Sequence, residues 1–352
     1  MPPELSVSGE KVRSNPELRS DFVTDSNGKF ERVIIRMLCE PILARVPHWV
    51  HPNQISVITH VIAWATAAAA VISAQSDRPN KSLFLLAAGF GMLLQMIGDC
   101  LDGMQARKTD QCSKLGEMMD HWLDANVVPL VTLGITIALD MPPWAIVLVN
   151  VTATMVYHAQ LVLYHHTGRF IHPEPASGVE GQFGVSIAYV ALAIFFYFVD
   201  RQARWLDVAL SVVAVIGTFV QLRCSWFYYP KLGKHIQPHL RFVATLAAFG
   251  ALYLWGAIDL YGFAFVLVFS SFRISGSYVL HTIVKRPFDG NDLGIVFFAV
   301  LIAILHSLRS ASGGVIDAAL PLLPYLAGAY MVFRNLLEFG RHYRALNPRA
   351  AP

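Results

Sequence analysis

The run "ISVITHVIAWATAAAAVISA", residues 55–74, decides the fold class of this chain. Its 20 residues include no aspartate, glutamate, lysine or arginine. An α-helix rises about 1.5 Å per residue, so about 20 apolar residues cross the hydrocarbon core of a bilayer. The apolar residues are continuous and do not alternate with polar ones, which favours helices over the strands of a membrane β-barrel. This stretch therefore predicts a transmembrane helix.

Similar apolar runs recur along most of the 352 residues. The composition agrees, because 55% of the residues are hydrophobic, only 14% are charged and the mean hydropathy is +0.49. A soluble protein carries about a quarter charged residues. We therefore predict an all-α integral membrane protein with about ten transmembrane helices. The predicted spans are 55–74, 82–99, 116–139, 144–164, 183–199, 206–222, 242–258, 260–281, 293–309 and 315–337.

The sequence predicts four parts of the chain: two tails, an amphipathic helix and a membrane domain. Residues 1–28 are polar and predict a disordered cytosolic tail, without the short apolar core of a signal peptide. Residues 29–50 predict an amphipathic helix in the membrane interface, anchored by Trp49, or alternatively a soluble helix packed on the loops. A membrane domain, 51–340, and a cytosolic tail, 341–352, complete the chain. The apolar face of the amphipathic helix would consist of Val33, Ile34, Met37, Leu38, Ile42, Leu43 and Val46.

The distribution of lysine and arginine predicts which side of the membrane each loop faces. Twenty of the 27 lie in the first fifty residues, the loops after even-numbered spans and the C-terminal tail, and five lie in the loops after odd-numbered spans or, for Arg309, at the last residue of such a span. Cytosolic loops carry the excess of positive charge. The loop between the second and third spans is therefore predicted to face the cytosol. The endoplasmic reticulum, the Golgi and a bacterial inner membrane all fit this orientation.

Cysteine spacing and net charge disfavour several other classes of protein. Cys39, Cys100, Cys112 and Cys224 form no CxxC pair, so disulfides and structural zinc are not expected. The net charge is +3, and no basic patch is interleaved with aromatic residues, so we expect no nucleic-acid partner. No internal repeat or inverted pair of broken helices marks a transporter.

The stretch "GDCLDGMQARKTDQCSKLGEMMDHWLDA", residues 98–125, contains five aspartates, and all of them except Asp110 lie within or beside apolar spans. Asp99 and Asp102 share a face of one helix, and Asp120 and Asp124 share a face of the next. Ionised carboxylates at membrane depth are costly unless they are paired or bound to metal. Their hard oxygen ligands suit Mg²⁺, Mn²⁺ or Ca²⁺, and two ions would neutralise four charges.

Other residues of this stretch suit a phosphorylated substrate. Gly103 and Gly116 remove side chains where a substrate could approach the backbone, and Arg107 is suited to bind phosphate. A salt-bridge network of the aspartates with Arg107, Lys108 and Lys114 is one alternative, and a cation-transport site is another. Asn53 in "HPNQIS", residues 51–56, is predicted to cap the first span.

The full pattern reads D-x2-D-G-x2-A-R-x8-G-x3-D-x3-D from Asp99 to Asp124 and resembles the signature of the CDP-alcohol phosphotransferases. The resemblance implies a cytosol-facing cavity that binds a CDP-alcohol with two Mg²⁺ or Mn²⁺ ions. It also implies a homodimer. The implied metal ligands are Asp99, Asp102, Asp120 and Asp124. The implied CDP-binding residues are Asn53, Asp99, Gly103, Ala106, Arg107 and Gly116.

Further stretches resemble the choline and ethanolamine phosphotransferase branch of that family. They are "DHWLD" at 120–124, "HHTG" at 165–168, "SGVEGQ" at 177–182 and "FRISGSYVLHTIVKRP" at 272–287. Two positions differ from that branch. Trp122 stands where the branch has a glycine, and the aromatic residues that the branch has just before the TG of "HHTG" are not matched in this sequence. The resemblance implies transfer of phosphocholine or phosphoethanolamine to diacylglycerol with release of CMP, in phospholipid synthesis. An inositol-type donor, a ceramide acceptor and, in a different class, a cation transporter are the alternatives.

Glu180, predicted in the polar loop that enters the fifth span, is the candidate general base outside the aspartate stretch, by resemblance to that branch, with His121 nearby. The alternative reading makes Glu180 an ordinary acidic residue that favours the dipole of the following helix. Asp124 is the other candidate base. A carboxylate already bound to metal is a weaker base, which favours Glu180. The sequence thus assigns Asp124, Glu180 and His121 to the proton-transfer step.

Overall fold

The structure, a computed structural model, describes residues 23–24, 29–171, 178–199, 204–309 and 315–347. Short 3-10 turns at Gly233–His235 and Leu320–Leu322 and one parallel pair of two-residue strands, β1 (Val23–Thr24) and β2 (Arg169–Phe170), accompany the helices. The segment predicted to lie in the membrane interface, residues 29–50 and called the interfacial segment below, contains α1 (Lys29–Ile34), a π-helical turn (Ile35–Cys39) and α2 (Glu40–Leu43). The remaining helices are α3 (Pro52–Ala74), α4 (Arg78–Lys108), α5 (Lys114–Asp124), α6 (Val127–Ala138), α7 (Pro143–Thr167), α8 (Gly178–Phe198), α9 (Arg204–Leu232), α10 (Ile236–Leu254), α11 (Leu260–Ile283), α12 (Leu293–Leu308), α13 (Val315–Ala319) and α14 (Leu323–Leu346).

The all-α membrane class predicted from the sequence is confirmed. Eight helical stretches of the described residues are long and apolar enough to cross a membrane. The predicted sixth span and most of the seventh, which was predicted to end at residue 258, fall within one such stretch, Trp205–Leu254, formed by α9 and α10. The predicted ninth span corresponds to α12, which has only 16 residues and is shorter than a typical transmembrane helix.

Several helix ends differ from the sequence prediction. Helix α4 continues to Lys108, well past the predicted end at residue 99. The prediction ended the span where the apolar run ends, but the polar residues that follow are also helical. Helix α14 continues through Leu346 into the predicted C-terminal tail, of which residues 348–352 lie outside the described residues. Most of the predicted N-terminal tail also lies outside them.

The interfacial helix is not the single regular helix that the sequence predicted. A π-helical turn accommodates one extra residue and rotates the faces of the helix on either side of it. Ile34, Leu38 and Leu43 of the predicted apolar face consequently pack toward α4, together with Cys39, which is fully buried. Other apolar side chains of the segment remain on the exposed surface, notably Phe30, Val33, Met37, Ile42 and Trp49.

The predicted N-cap of the first span is wrong by two residues. Helix α3 begins at Pro52, and its N-cap is His51, whose Nδ1 accepts a hydrogen bond from the Asn53 N–H over 3.2 Å. The His51 N–H donates in return to Gln54 Oε1 over 3.2 Å, which completes a capping box. Proline suits the first helical position because it has no N–H to satisfy, so the residue before it becomes the cap.

The chain divides into two compact units. The first unit comprises Met1–Asp124, Gly168–Asp200 and Arg341–Pro352. In it, α4 packs closely against α3, because a side chain at Gly98 would collide with Thr59 of α3. On another side α4 packs against α8, where the Ser186 hydroxyl donates to the Gly89 carbonyl over 2.8 Å. Helix α4 is thus held between two neighbours at the level where its aspartates begin.

The second unit comprises Ala125–Thr167 and Arg201–Gly340, and α7 and α11 form its core. Arg273 of α11 is buried and donates from Nε to Asp292 Oδ2 over 2.8 Å and from Nη1 to Glu338 Oε2 over 2.5 Å. His281 lies 2.6 Å from the other oxygen of Glu338. This ion cluster satisfies an arginine inside an apolar helix bundle, where an unpaired charge would be strongly unfavourable.

Candidate active site

Two helices of the first unit supply the four aspartates. Asp99 and Asp102 are one turn apart near the C-terminal end of α4. The chain then turns at Asp110, which has a positive φ of 55°, and α5 carries Asp120 and Asp124 one turn apart. The spacing of three and four residues places each pair on one helical face. The two faces meet, as the sequence analysis expected.

The four carboxylates lie close to one another. One oxygen from each of Asp99, Asp120 and Asp124 lies within 4.8 Å of the others. The Asp102 carboxylate lies close enough to Asp99 and Asp120, and the Asp124 carboxylate close enough to Asp99, for their negative charges to repel one another. Among the described residues, no lysine or arginine forms an ion pair with any of the four. A cluster of hard oxygen ligands without a positive partner fits divalent cations such as Mg²⁺ or Mn²⁺.

The aspartates border a cavity of about 680 Å³ in the first unit. Asp99, Asp102 and Asp120 line it directly, and Glu31, Ile35 and Leu43 of the interfacial segment line it as well. The other predicted CDP-binding residues also line it, namely Asn53, Gly103, Ala106, Arg107 and Gly116.

Both glycines of the motif leave space at this cavity. A Cβ at Gly116 would lie 3.2 Å from Asn53 Oδ1 and 3.3 Å from Ser113 Oγ, so a side chain there would crowd two polar lining residues. A Cβ at Gly103 would lie 3.4 Å from Arg107 Nη1, so the guanidinium lies alongside Gly103. A guanidinium, a group able to donate two hydrogen bonds to a phosphate, thus lies beside a stretch of backbone without a side chain.

The three candidate proton-transfer residues occupy different positions. Asp124 belongs to the carboxylate cluster. His121 lines the cavity, with Nε2 3.8 Å from Asp120 Oδ2 and its ring stacked on Phe170 at a centroid distance of 5.8 Å. Glu180 was predicted in a loop, but it lies in the first turn of α8, and the Glu31 N–H donates to its Oε1 over 3.0 Å. Its neighbour Val179, rather than Glu180, is among the residues that line the cavity.

Two residues that contact the aspartates were not recognised as site residues from the sequence. The buried Ser56 hydroxyl on α3 donates to Asp102 Oδ2 over 2.7 Å, while the Gly103 N–H donates to Asp102 Oδ1 over 2.6 Å. Gln182 on α8 is hydrogen bonded to Asp99. Ser56 is a polar residue within the first turns of an apolar span, and Gln182 closes the quoted "SGVEGQ" stretch. These two positions are the only features of the sequence that could have marked Ser56 and Gln182 as site residues.

These features define a class of protein: a multi-pass helical membrane protein with a four-aspartate cluster beside a polar, arginine-bordered cavity. Residues 49–220 match the CDP-alcohol phosphatidyltransferase family, so the chain carries a domain of that family. This match confirms the resemblance read from the aspartate motif, and it covers every residue of that motif.

Comparison with individual proteins gives more distant similarities. The chain is 28% identical over 206 residues to cholinephosphotransferase 1 of Mus musculus, covering 53% of this chain and 48% of that protein. It is 33% identical over 109 residues to cholinephosphotransferase 1 of Danio rerio, covering 29% and 28%. It is 26% identical over 163 residues to the CDP-diacylglycerol–serine O-phosphatidyltransferase of Encephalitozoon cuniculi (strain GB-M1), covering 46% and 42%. The chain spans about half the length of the first of these relatives.

Proposed function

We propose that this protein transfers phosphocholine or phosphoethanolamine from a CDP-alcohol to the hydroxyl of diacylglycerol and releases CMP. The observation that carries the proposal is the meeting of Asp99, Asp102, Asp120 and Asp124 beside the cavity that Arg107 borders. The similarity to cholinephosphotransferase 1 of several species supports the choice of head group.

Two divalent ions, Mg²⁺ or Mn²⁺, held by the four aspartates would stabilise the charge on the pyrophosphate and on the departing CMP. The other residues of the site keep these ligands and the substrate in place. Ser56 orients Asp102, and Gln182 orients Asp99. Arg107 binds a phosphate of the nucleotide, because a guanidinium offers paired donors to phosphate oxygens.

The reaction transfers one proton, forms one phosphorus–oxygen bond and breaks another. The acceptor oxygen bonds to the phosphorus that carries the alcohol, the bond from that phosphorus to CMP breaks, and the acceptor proton passes to a base. We assign this base to Glu180, with His121 nearby and Asp124 as the alternative. In the structure the Glu31 N–H donates to Glu180 Oε1 over 3.0 Å, which orients the carboxylate of this candidate base.

The remaining parts of the proposal concern orientation and assembly. Lysine and arginine counts favour a cytosolic active site, in the endoplasmic reticulum, the Golgi or a bacterial inner membrane. We also propose a homodimer. Mass photometry of the protein in mild detergent tests it, and a purely monomeric population at working concentrations would count against it.

A second donor and acceptor pair has support from one observation. The similarity to a CDP-diacylglycerol–serine O-phosphatidyltransferase extends over 46% of the chain, so the same site chemistry could serve a CDP-lipid donor and a polar alcohol acceptor. Donors of the inositol type and a ceramide acceptor belong to the same set of alternatives.

One experiment separates these possibilities. Purified protein in lipid nanodiscs is given CDP-choline, CDP-ethanolamine, CDP-inositol or CDP-diacylglycerol, each with diacylglycerol, ceramide or serine. CMP release and the mass of the lipid product are measured, with Asp120→Asn as the inactive control. We expect CMP and a choline or ethanolamine phospholipid with diacylglycerol. Cation flux across liposomes without CMP release from any pair would instead favour a transporter.

A further inference from the structure

The C-terminal end of the interfacial segment is tied to α4 by two side chains. Lys108 Nζ donates to the Leu43 and Val46 carbonyls, each over 2.8 Å. Gln105 Nε2 donates to the Pro47 carbonyl over 2.9 Å and to the Val50 carbonyl over 3.0 Å. Four backbone carbonyls of residues 43–50 are thus held by the last turn of the helix that carries Asp99 and Asp102.

Lys108 therefore differs in function from its neighbour Arg107. Arg107 is exposed and lines the cavity, whereas Lys108 does not line it. The Lys108 ammonium lies at the C-terminal end of α2, where a positive charge is favourable. In the sequence "ARK", residues 106–108, Arg107 is thus the candidate to bind phosphate, and Lys108 binds the C-terminal end of α2.

The segment held in this way is part of the cavity wall. Glu31 and Ile35 line the cavity from the N-terminal half of the interfacial segment, and Leu43 lines it from the end that Lys108 holds. The Glu31 N–H also contacts Glu180. A shift of this segment would move one wall of the cavity and the hydrogen-bond donor of the candidate base together.

We infer that Lys108 and Gln105 are positioning residues for nucleotide binding: they fix the interfacial segment as the wall that encloses the CDP-alcohol. The inference rests on the proposed function for the identity of the nucleotide, and on hydrogen bonds alone for the position of the segment. Loss of binding that is shared by ground state and transition state raises KM and leaves kcat unchanged. We expect this kinetic change when Lys108 or Gln105 is replaced, because the segment that they hold contacts the nucleotide in both states.

The test uses Lys108→Met, which keeps the aliphatic stem and removes the ammonium, and Gln105→Leu, which removes both donors. Lys108→Arg should restore function, since a guanidinium can donate to the same carbonyls. Lys234→Met removes an exposed lysine of the second unit and serves as the control for charge. We expect the first two variants to raise KM for CDP-choline by about tenfold or more, with kcat within about threefold of wild type.

A second measurement follows the segment without turnover. Cys39 is fully buried against α4, so N-ethylmaleimide should label it slowly, as read by mass spectrometry of its own peptide. Lys108→Met should accelerate this labelling by about tenfold or more, since labelling reports the opened population of the segment. CDP-choline with Mg²⁺ should slow it again.

The outcomes are separable. KM within twofold of wild type and unchanged Cys39 labelling in both variants would overturn the inference. A fall in kcat with unchanged KM would also overturn it, because the residues would then act on the chemical step. If the wild type turns over no CDP-alcohol, the proposed function fails. Faster Cys39 labelling in Lys108→Met would then still show that Lys108 holds the interfacial segment against α4.

Discussion

The hydrogen bond from Ser56 to Asp102 allows the strength of the candidate metal site to be tested through a residue that is not itself a candidate ligand. Both side chains are buried, and the Ser56 hydroxyl donates over 2.7 Å to a carboxylate oxygen. A hydrogen bond to a charged group contributes about 1.5–3 kcal/mol, which corresponds to about 10- to 150-fold in an equilibrium constant. Replacement of a residue that orients a metal ligand costs about 10- to 100-fold in metal affinity.

We therefore expect Ser56→Ala to raise the Mg²⁺ concentration for half-maximal activity by about 10- to 100-fold. Saturating Mg²⁺ should restore most of kcat, because all four carboxylates remain. The assay is CMP release at fixed CDP-choline and diacylglycerol, titrated with Mg²⁺ from a chelated start. Ser73→Ala is the matched control: Ser73 is also a buried serine of α3, and its hydroxyl donates to the Ala70 carbonyl of the same helix.

Two results would refute this reasoning. If Ser56→Ala keeps the Mg²⁺ dependence of the wild type, Asp102 needs no support from α3 to bind metal. Alternatively, kcat could stay low at every Mg²⁺ concentration, in which case Ser56 acts on the substrate or on folding rather than on the metal site. Ser56→Thr keeps the hydroxyl and should remain near wild type.

Three further predictions follow from the same geometry. Chelator should abolish CMP release, and Asp99→Asn or Asp120→Asn should each nearly abolish it, because one lost ligand leaves metal charge uncompensated; normal turnover by either folded variant contradicts the two-metal proposal. Glu180→Gln should lower kcat by about 10²- to 10⁴-fold with nucleotide affinity little changed, whereas Asp124→Asn should weaken metal and nucleotide binding together; the reverse pattern, in titrations and steady-state kinetics, makes Asp124 the base. Arg273→Met should cost about 3–5 kcal/mol of unfolding free energy in the second unit, since it leaves two buried carboxylates without their cation; an unchanged thermal midpoint in detergent would argue that the cluster contributes nothing.

Local pattern was sufficient to predict the helices and which aspartates share a helical face. Residues three and four apart share a helical face, so Asp99 with Asp102 and Asp120 with Asp124 could be paired from their numbering alone. The partner of Asp102 could not, because Ser56 lies 46 residues away on another helix, and only the close packing of α3 on α4 brings them together.

The errors of the sequence prediction have similar local causes. The cap of α3 was assigned to Asn53 on residue preference, but Pro52 at the first helical position makes His51 the cap. The π-helical turn at Ile35–Cys39 leaves no trace in apolar periodicity, since it depends on how Cys39 packs against α4. Glu180 was assigned to a loop because its surroundings are polar, although glycine and polar residues can begin a helix.

The length of α4 determines where the two proposed substrates meet. Its apolar part, residues 82–98, rises about 26 Å, close to the thickness of the hydrocarbon core, and Asp99 follows immediately. The candidate site thus lies at the boundary between lipid and water, where a nucleotide arrives by three-dimensional diffusion and a lipid alcohol by lateral diffusion within one leaflet. The rate should therefore depend on the mole fraction of diacylglycerol in the bilayer rather than on its amount per volume. Dilution of that lipid with inert phospholipid should slow the reaction even when the total diacylglycerol in the tube is constant.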